Sequence, residues 1–219
     1  MSTANTAKPS TASKPTATRW DLKPMRIAAM QVESPHEDTF PILDKWHEGN
    51  FNVEQLLHTH GDGYYAMYDP KRHEERLTRY IAQAHDYGMK IIGYINVMNV
   101  PVKWDGPREA CYQWYVKPGS NEKTESKGQS CVNSVWRDAA FDAMRGMMKC
   151  GADGVFMDGP HVNHHGCYCD TCEKLFKEQH GIALPLNDKD KDAWKKFQDF
   201  RKWSITRFVS DARDTVKSE

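Results

Sequence analysis

The stretch Met89-Lys90-Ile91-Ile92-Gly93-Tyr94-Ile95-Asn96-Val97 decides how this chain is read. It is rich in β-branched and aromatic residues, which marks a buried strand. The residues before it, His73 to Gly88, carry a different period. Leu77, Tyr80, Ile81 and Ala84 fall on one helical face, and Gly88 suits the left-handed position that ends a helix. A helix that runs straight into an apolar strand is the building unit of parallel α/β structure.

The same alternation extends to both sides. Met25 to Val32 and Phe51 to Leu57 read as strands, with a helix over Asp38 to Gly49 between them. Downstream, Met98 to about Ser134 reads as a long irregular segment. Trp136 to Lys149 reads as a helix with Ala140, Met144 and Met147 on one side, and Ala152 to Met157 as a fourth strand. Cys172 to His180 is a helix stopped by Gly181. Ala193 to Val216 is a longer helix whose apolar stripe is Trp194, Phe197, Phe200, Ile205, Phe208 and Ala212. Strands separated by helices pair in parallel through right-handed crossovers. Two architectures satisfy that order: an open doubly wound sheet, or the first half of a (β/α)₈ barrel. Either way the loops after the strand C-termini carry function. A full barrel takes about 250 residues, and only four strands can be counted in 219. The expected fold is therefore α/β, a half TIM barrel of four parallel strands with helices.

Composition narrows the partners. Lys and Arg total 30, Asp and Glu total 30, and 39% of residues are hydrophobic. A folded domain is expected, with no basic field for nucleic acid or anionic lipid. No apolar run approaches the roughly 18 residues of a membrane helix. The Ser/Thr/Ala/Lys/Pro-rich start, residues 1–24, is expected to be a disordered tail ahead of one domain, residues 25–219. That start has no signal-peptide pattern, which points to the cytoplasm.

Unusual chemistry gathers in the loops after the strands. His58 and His60 follow the second strand, with Tyr65 behind them; Asn96 and Trp104 follow the third; Asp158 and His161 follow the fourth. A carboxylate at the mouth of such a sheet suits nucleophilic or acid/base work. The paired imidazoles suit hydrogen bonding to hydroxyls or metal binding, and Tyr65 and Trp104 suit stacking. Cys167, Cys169 and Cys172 are spaced C-x-C-x₂-C, so a loop entering a helix can turn three sulfurs to one point. Zinc prefers about four such ligands. The fourth could be Cys131, Cys111 or a nearby His, and Cys131 is the expected one because its loop neighbours theirs; reduced buried thiols or a single disulfide are the alternatives. Such a zinc would be structural and would staple two loops beside the candidate site.

Two resemblances follow from these residues. His60-Gly61-Asp62-Gly63-Tyr64 with Met67-Tyr68-Asp69 resembles the H-H-D-G-F…W-D loop of α-L-fucosidases, with Gly61 and Tyr68 departing from it. Phe156-Met157-Asp158-Gly159 resembles their W-F-D-G, whose Asp is the nucleophile. Cys131-Val132-Asn133-Ser134-Val135-Trp136-Arg137 resembles the C-x-N-S-P-x-[YW]-R segment of family 42 β-galactosidases. Cys167-Tyr168-Cys169-Asp170-Thr171-Cys172 resembles their C-Y-C-x-x-C, and in that family the four cysteines bind zinc. The combination looks most like glycosyl hydrolases that join the D-G strand end to the cysteine loop. It implies a carbohydrate substrate, Asp158 as nucleophile and His58 or His60 as a ligand for sugar hydroxyls; Tyr65, Asn96, Trp104 and His161 are candidate substrate ligands by their place in the same loops.

The resemblance also implies what is missing. Those families use eight strands and draw a second carboxylate from a later one; Glu33, at the end of the first strand, is a poor substitute. The chain is therefore expected to be the N-terminal half of a glycosidase-like barrel, with an open edge that invites self-association. Two rivals stand beside this reading. A metal-dependent amidohydrolase would use His58 and His60 as ligands, and a carbohydrate-binding module would use the same rim without catalysis.

Overall fold

The computed structural model describes residues 23–31, 40–57, 70–100, 104–117 and 119–219. In chain order the elements are β1 (Ile27–Gln31), α1 (Pro41–Glu48), β2 (Val53–Leu57), α2 (Pro70–Asp86), β3 (Lys90–Asn96), β4 (Tyr112–Val116), β5 (Lys123–Ser130), α3 (Trp136–Lys149), β6 (Gly154–Asp158), α4 (Asp170–His180) and α5 (Lys191–Lys217). Four strands form one sheet in the order β1-β2-β3-β6, and every pair in it is parallel. The pieces of the expected tail and site at residues 1–22, at Glu33 and at His58, His60 and Tyr65 lie outside the described residues.

Register separates the two faces of the sheet. Ala28, Glu54 and Ile91 share one row, and Leu56, Gly93 and Val155 share the next row on the same face. This face is covered by helices. Leu43 of α1, Leu77, Tyr80, Ile81 and Ala84 of α2, Ala140, Met144 and Met147 of α3, and Phe208 and Ala212 of α5 are buried in one cluster with Leu56, Ile91 and Ile95. Gly93 is small because α3 crosses it: a Cβ there would run into the Met147 side chain. The alternate residues face the other way, as the pleat requires. On that side Ile27 is 45% exposed and Phe156 is 44% exposed. Among the described residues helices lie on one face only, as in the wall of a barrel; a doubly wound sheet would have them on both. The fold is thus a partial (β/α) barrel with four parallel strands.

The helix ends follow local rules. Gly88 and Gly181 adopt φ of 72° and 69°, the left-handed conformation expected where α2 and α4 stop. Asp190 caps α5, its carboxylate accepting from the backbone N–H of Asp192 at 3.1 Å and Ala193 at 3.0 Å. The length of α5 lets it serve two cores. Phe208 and Ala212 join the main cluster, while Phe197 and Phe200 join a second one with Val116, Tyr168, Phe176 and Leu184. Among the described residues no helix is long and apolar enough to cross a membrane.

One expectation is corrected. The segment from Met98 to Ser134 is not irregular throughout: β4 and β5 pair as an antiparallel hairpin. β5 reads Lys-Thr-Glu-Ser-Lys-Gly-Gln-Ser and has no apolar alternation to announce it. It is held by backbone pairing and by docking onto the chain beyond β3. Ser130 N–H donates to Met98 O at 2.8 Å, Val100 N–H donates to Gly128 O at 2.9 Å, and the Ser130 hydroxyl donates to Val97 O.

Glu54 sits fully buried on the helix-covered face, with the Tyr80 hydroxyl 3.0 Å from both of its oxygens. Burial pushes its carboxyl up to about 7, while the hydrogen bond from Tyr80 opposes the rise. The folded chain therefore holds a proton that the unfolded chain releases near pH 4.5. Stability is greatest below that pH and falls as pH rises toward 7, by about 3 kcal/mol in all if no other group intervenes. Glu54→Gln keeps an acceptor for Tyr80 without the charge. Urea titrations of the variant between pH 4.5 and 8 should show this slope largely removed, and above pH 7 the variant should be the more stable protein.

Candidate active site and cysteine cluster

β3 and β6 end side by side, with Asn96 paired in register to Asp158. Tyr94 and Phe156 stand two residues earlier on the same face, their rings stacked at 6.0 Å. Asp158 is half-buried and accepts a hydrogen bond on Oδ2 from the Tyr94 hydroxyl at 2.5 Å. Burial pushes the Tyr94 phenol up to about 12, and the hydrogen bond and charge of Asp158 add to that shift. Tyr94 is therefore a donor across the neutral range.

Asn96 is held from below and above. Its Oδ1 accepts from Met98 N–H at 2.9 Å and Asn99 N–H at 3.1 Å, and its side chain hydrogen-bonds to Tyr94. The two backbone donors assign the amide orientation, so Nδ2 is the group that faces the phenol. After Asp158 the chain turns at Gly159, where φ is 70°. His161 follows, with Nδ1 3.1 Å from Gly159 O. Trp104 lies elsewhere: it is half-buried, with its ring edge-on to Trp136 at 5.2 Å against the main core. The structure thus brings Asn96, Asp158 and His161 into one loop region and sets Trp104 into packing.

Three residues in this region were not singled out from the sequence. Tyr94 and Phe156 could have been found by parity, since each lies two positions before a chosen residue on its own strand. Gln113 could not. It is fully buried on β4 and donates from Nε2 to Ser130 O at 2.8 Å and to His161 O at 3.0 Å, while its Oε1 accepts from Asn163 N–H at 2.6 Å. One side chain thereby ties the loop after β6 to the hairpin. Arg201 of α5 clamps the same loop, donating to Asn163 O at 2.8 Å.

The opposite pole of the sheet is built for stability. Asp153 accepts from Lys90 Nζ at 2.7 Å, from Ile91 N–H at 2.9 Å and from the His85 ring at 2.8 Å. Burial pushes its carboxyl up, but these donors bring it below the ordinary carboxylate range.

Cys131, Cys167, Cys169 and Cys172 are all buried, and their sulfurs lie within 4.8 Å of one another. Cys131 Sγ is 3.5 Å from Cys172 Sγ and 3.6 Å from Cys169 Sγ. Four sulfurs about 2.3 Å from a central metal stand roughly 3.8 Å apart, so the residues fit a tetrahedral thiolate ligand set. The electrostatics agree. Hydrogen bonds from Cys131, Cys167 and Cys172 hold the Cys169 thiol well below its ordinary range, whereas the sharing pushes Cys131 and Cys172 up. A divalent cation among these buried sulfurs would favour their thiolate forms. Asn133 supports the cluster from outside, its amide donating to Cys172 Sγ at 3.4 Å and to Ser204 Oγ of α5 at 2.8 Å.

No protein-family model matches the chain, and no curated protein matches it. Solved structures do. A polyextremophilic β-galactosidase from the Antarctic haloarchaeon Halorubrum lacusprofundi superposes with a TM-score of 0.61 at 15% identity, over 89% of this chain and 35% of its own. A cold-adapted β-galactosidase from Rahnella sp. R3 superposes with a TM-score of 0.60 at 14% identity, over 89% of this chain and 34% of its own. The chain spans about a third of the length of these neighbours. At such identity the likeness is one of fold: the parallel sheet and its helices superpose on part of a larger barrel.

The turn after Asp158 is open to a direct test. A Cβ on Gly159 would lie 2.8 Å from Met98 Cβ, on a backbone whose φ of 70° disfavours any side chain. Gly159→Ala should lower stability by about 2 kcal/mol in urea denaturation, the sum of strain and overlap.

Proposed function

We propose that this chain is a glycoside hydrolase-like domain acting on a carbohydrate, with Asp158 as its nucleophile or acid/base and a partner half required for turnover. The observation that carries this reading is the register of Asn96 with Asp158 at the C-terminal end of parallel β3 and β6, on the face that helices do not cover. In barrels of this type the reacting groups gather at that end. Asn96 and His161 stand beside the carboxylate as candidate ligands for sugar hydroxyls. His58, His60 and Tyr65 belong to the same proposal by their place in the loop after β2.

The need for completion rests on the exposed inner face. Ile27 and Phe156 stand in solvent there, and a groove of about 730 Å³ runs along β6 and α5, lined by Val155, Met157, Ile205, Val209 and Val216 among others. A (β/α) unit added at the free side of β6 would cover Phe156 with its strand and the groove with its helix, supplied by a further half or by a second copy of the chain. Glycosidase chemistry takes two carboxyl groups flanking the bond that breaks, and Asp158 is proposed as one of them.

The metal of the cysteine cluster is proposed to be zinc, since a buried set of four cysteines is its usual structural environment. Bound there, it would supply cohesion and no reacting group. It would fasten the Cys131 turn to the start of α4, and through Asn133 and Ser204 to α5.

Turnover, sugar binding, metal content and melting test these readings. The purified monomer should give no turnover on a panel of aryl glycosides; efficient hydrolysis by the monomer, abolished in Asp158→Asn, would overturn the need for a second half. Sugar binding that survives Asp158→Asn, with no hydrolysis even in a completed barrel, would favour a binding module instead. Elemental analysis should find one zinc per chain. Cys172→Ser should lose it and melt lower by on the order of 10 °C, as expected for a loss of a few kcal/mol in a chain of this size.

A further inference from the structure

The side chains around Asp158 form a chain of hydrogen bonds with one direction. Met98 and Asn99 backbone N–H groups fix Asn96 Oδ1 at 2.9 Å and 3.1 Å. The Asn96 side chain then holds the Tyr94 hydroxyl oxygen, and that hydroxyl donates to Asp158 Oδ2 at 2.5 Å. Stacking on Phe156, with ring planes within 17° of parallel, restrains the Tyr94 ring in the other dimension. Among the described residues no hydrogen bond reaches Asp158 Oδ1. The two oxygens of one carboxylate are thus unequal: one is tied down by Tyr94 and the other is not.

We propose that Tyr94 is the positioning residue of Asp158, fixing Oδ2 so that Oδ1 is the oxygen a substrate meets. The proposal rests on the reading of Asp158 as the reacting carboxylate and deepens it. A carboxylate on two free torsions explores several rotamers, and chemistry at a fixed atom needs one of them. Tyr94 supplies that restriction without touching the substrate. Its donor capacity is used once, on Oδ2, and its acceptor capacity is used by Asn96.

The test separates position from fold. Tyr94→Phe keeps the ring on Phe156 and removes only the hydroxyl. In the wild-type chain the three-bond Hα–Hβ couplings of Asp158 should report a single side-chain rotamer; in Tyr94→Phe they should collapse to averaged values while the Phe156 resonances stay in place. A second readout works from the other end. The Tyr94 ring carbon bearing the hydroxyl should stay in its protonated position up to about pH 12 in the wild type, and its transition should move to lower pH in Asp158→Asn. A single Asp158 rotamer in Tyr94→Phe, or a Tyr94 transition that Asp158→Asn leaves unmoved, overturns the proposal. Both readouts are independent of turnover. Their success alongside failed aryl-glycoside assays of a completed barrel would sink the hydrolase reading and leave the positioning role standing.

Discussion

Among the described residues, helices cover one face of the parallel sheet and leave the other uncovered. Ala28, Glu54, Leu56, Ile91, Gly93 and Ile95 point into the helical layer because the pleat sends alternate residues that way. The pleat then sends Ile27, Tyr94, Phe156 and Asp158 to the opposite side, which no helix among the described residues covers. A sheet of this kind is stable as part of a closed wall, in which the uncovered faces of further strands fill the centre. The exposure of Ile27 and Phe156 and the candidate site at Asp158 have this same origin: both stand on the face that a barrel turns inward.

The cysteine cluster and the hairpin solve a related problem at the rim. Long loops after parallel strands have little apolar surface of their own. Here they are given a second small core, made of Val116, Tyr168, Phe176, Phe197 and the four sulfurs. Gln113 stitches the loop after β6 to the hairpin, Arg201 stitches it to α5, and Asn133 links the sulfur cluster to Ser204. The segment that carries His161 is therefore restrained on two sides. The lower pole, with Asp153 bridging His85 and Lys90, uses short turns and a plain ion-pair network.

Buried polar groups mark the points where the fold accepts a cost for specificity. Glu54 is the clearest. An apolar residue of similar size would suit the helix-covered face, yet a carboxyl sits there with Tyr80 as its partner. Each unpaired alternative is disfavoured by the desolvation of that group, so β2 and α2 have one register that satisfies both. Gln113 does the same for the hairpin, since three of its hydrogen bonds would be lost together in any shifted pairing.

The alternation of strand and helix was legible in the residues because its signals are local. Leu77, Tyr80, Ile81 and Ala84 repeat with the helical period, β3 is a continuous apolar run, and Gly88 and Gly181 stop their helices. The cysteine spacing was legible for the same reason: three sulfurs within six residues are close in any fold. Tertiary structure alone decided the rest. The choice between a two-sided sheet and a barrel wall depends on where helices pack, and the periodicity of each helix is the same in both. The hairpin hid because Lys123 to Ser130 is polar and owes its strand conformation to hydrogen bonds with distant backbone. Tyr94 became a partner of Asp158 only when β3 and β6, 64 residues apart at that contact, came into register. Patterns within one element report what that element buries; which atoms meet across elements is set by packing, and no local pattern encodes it.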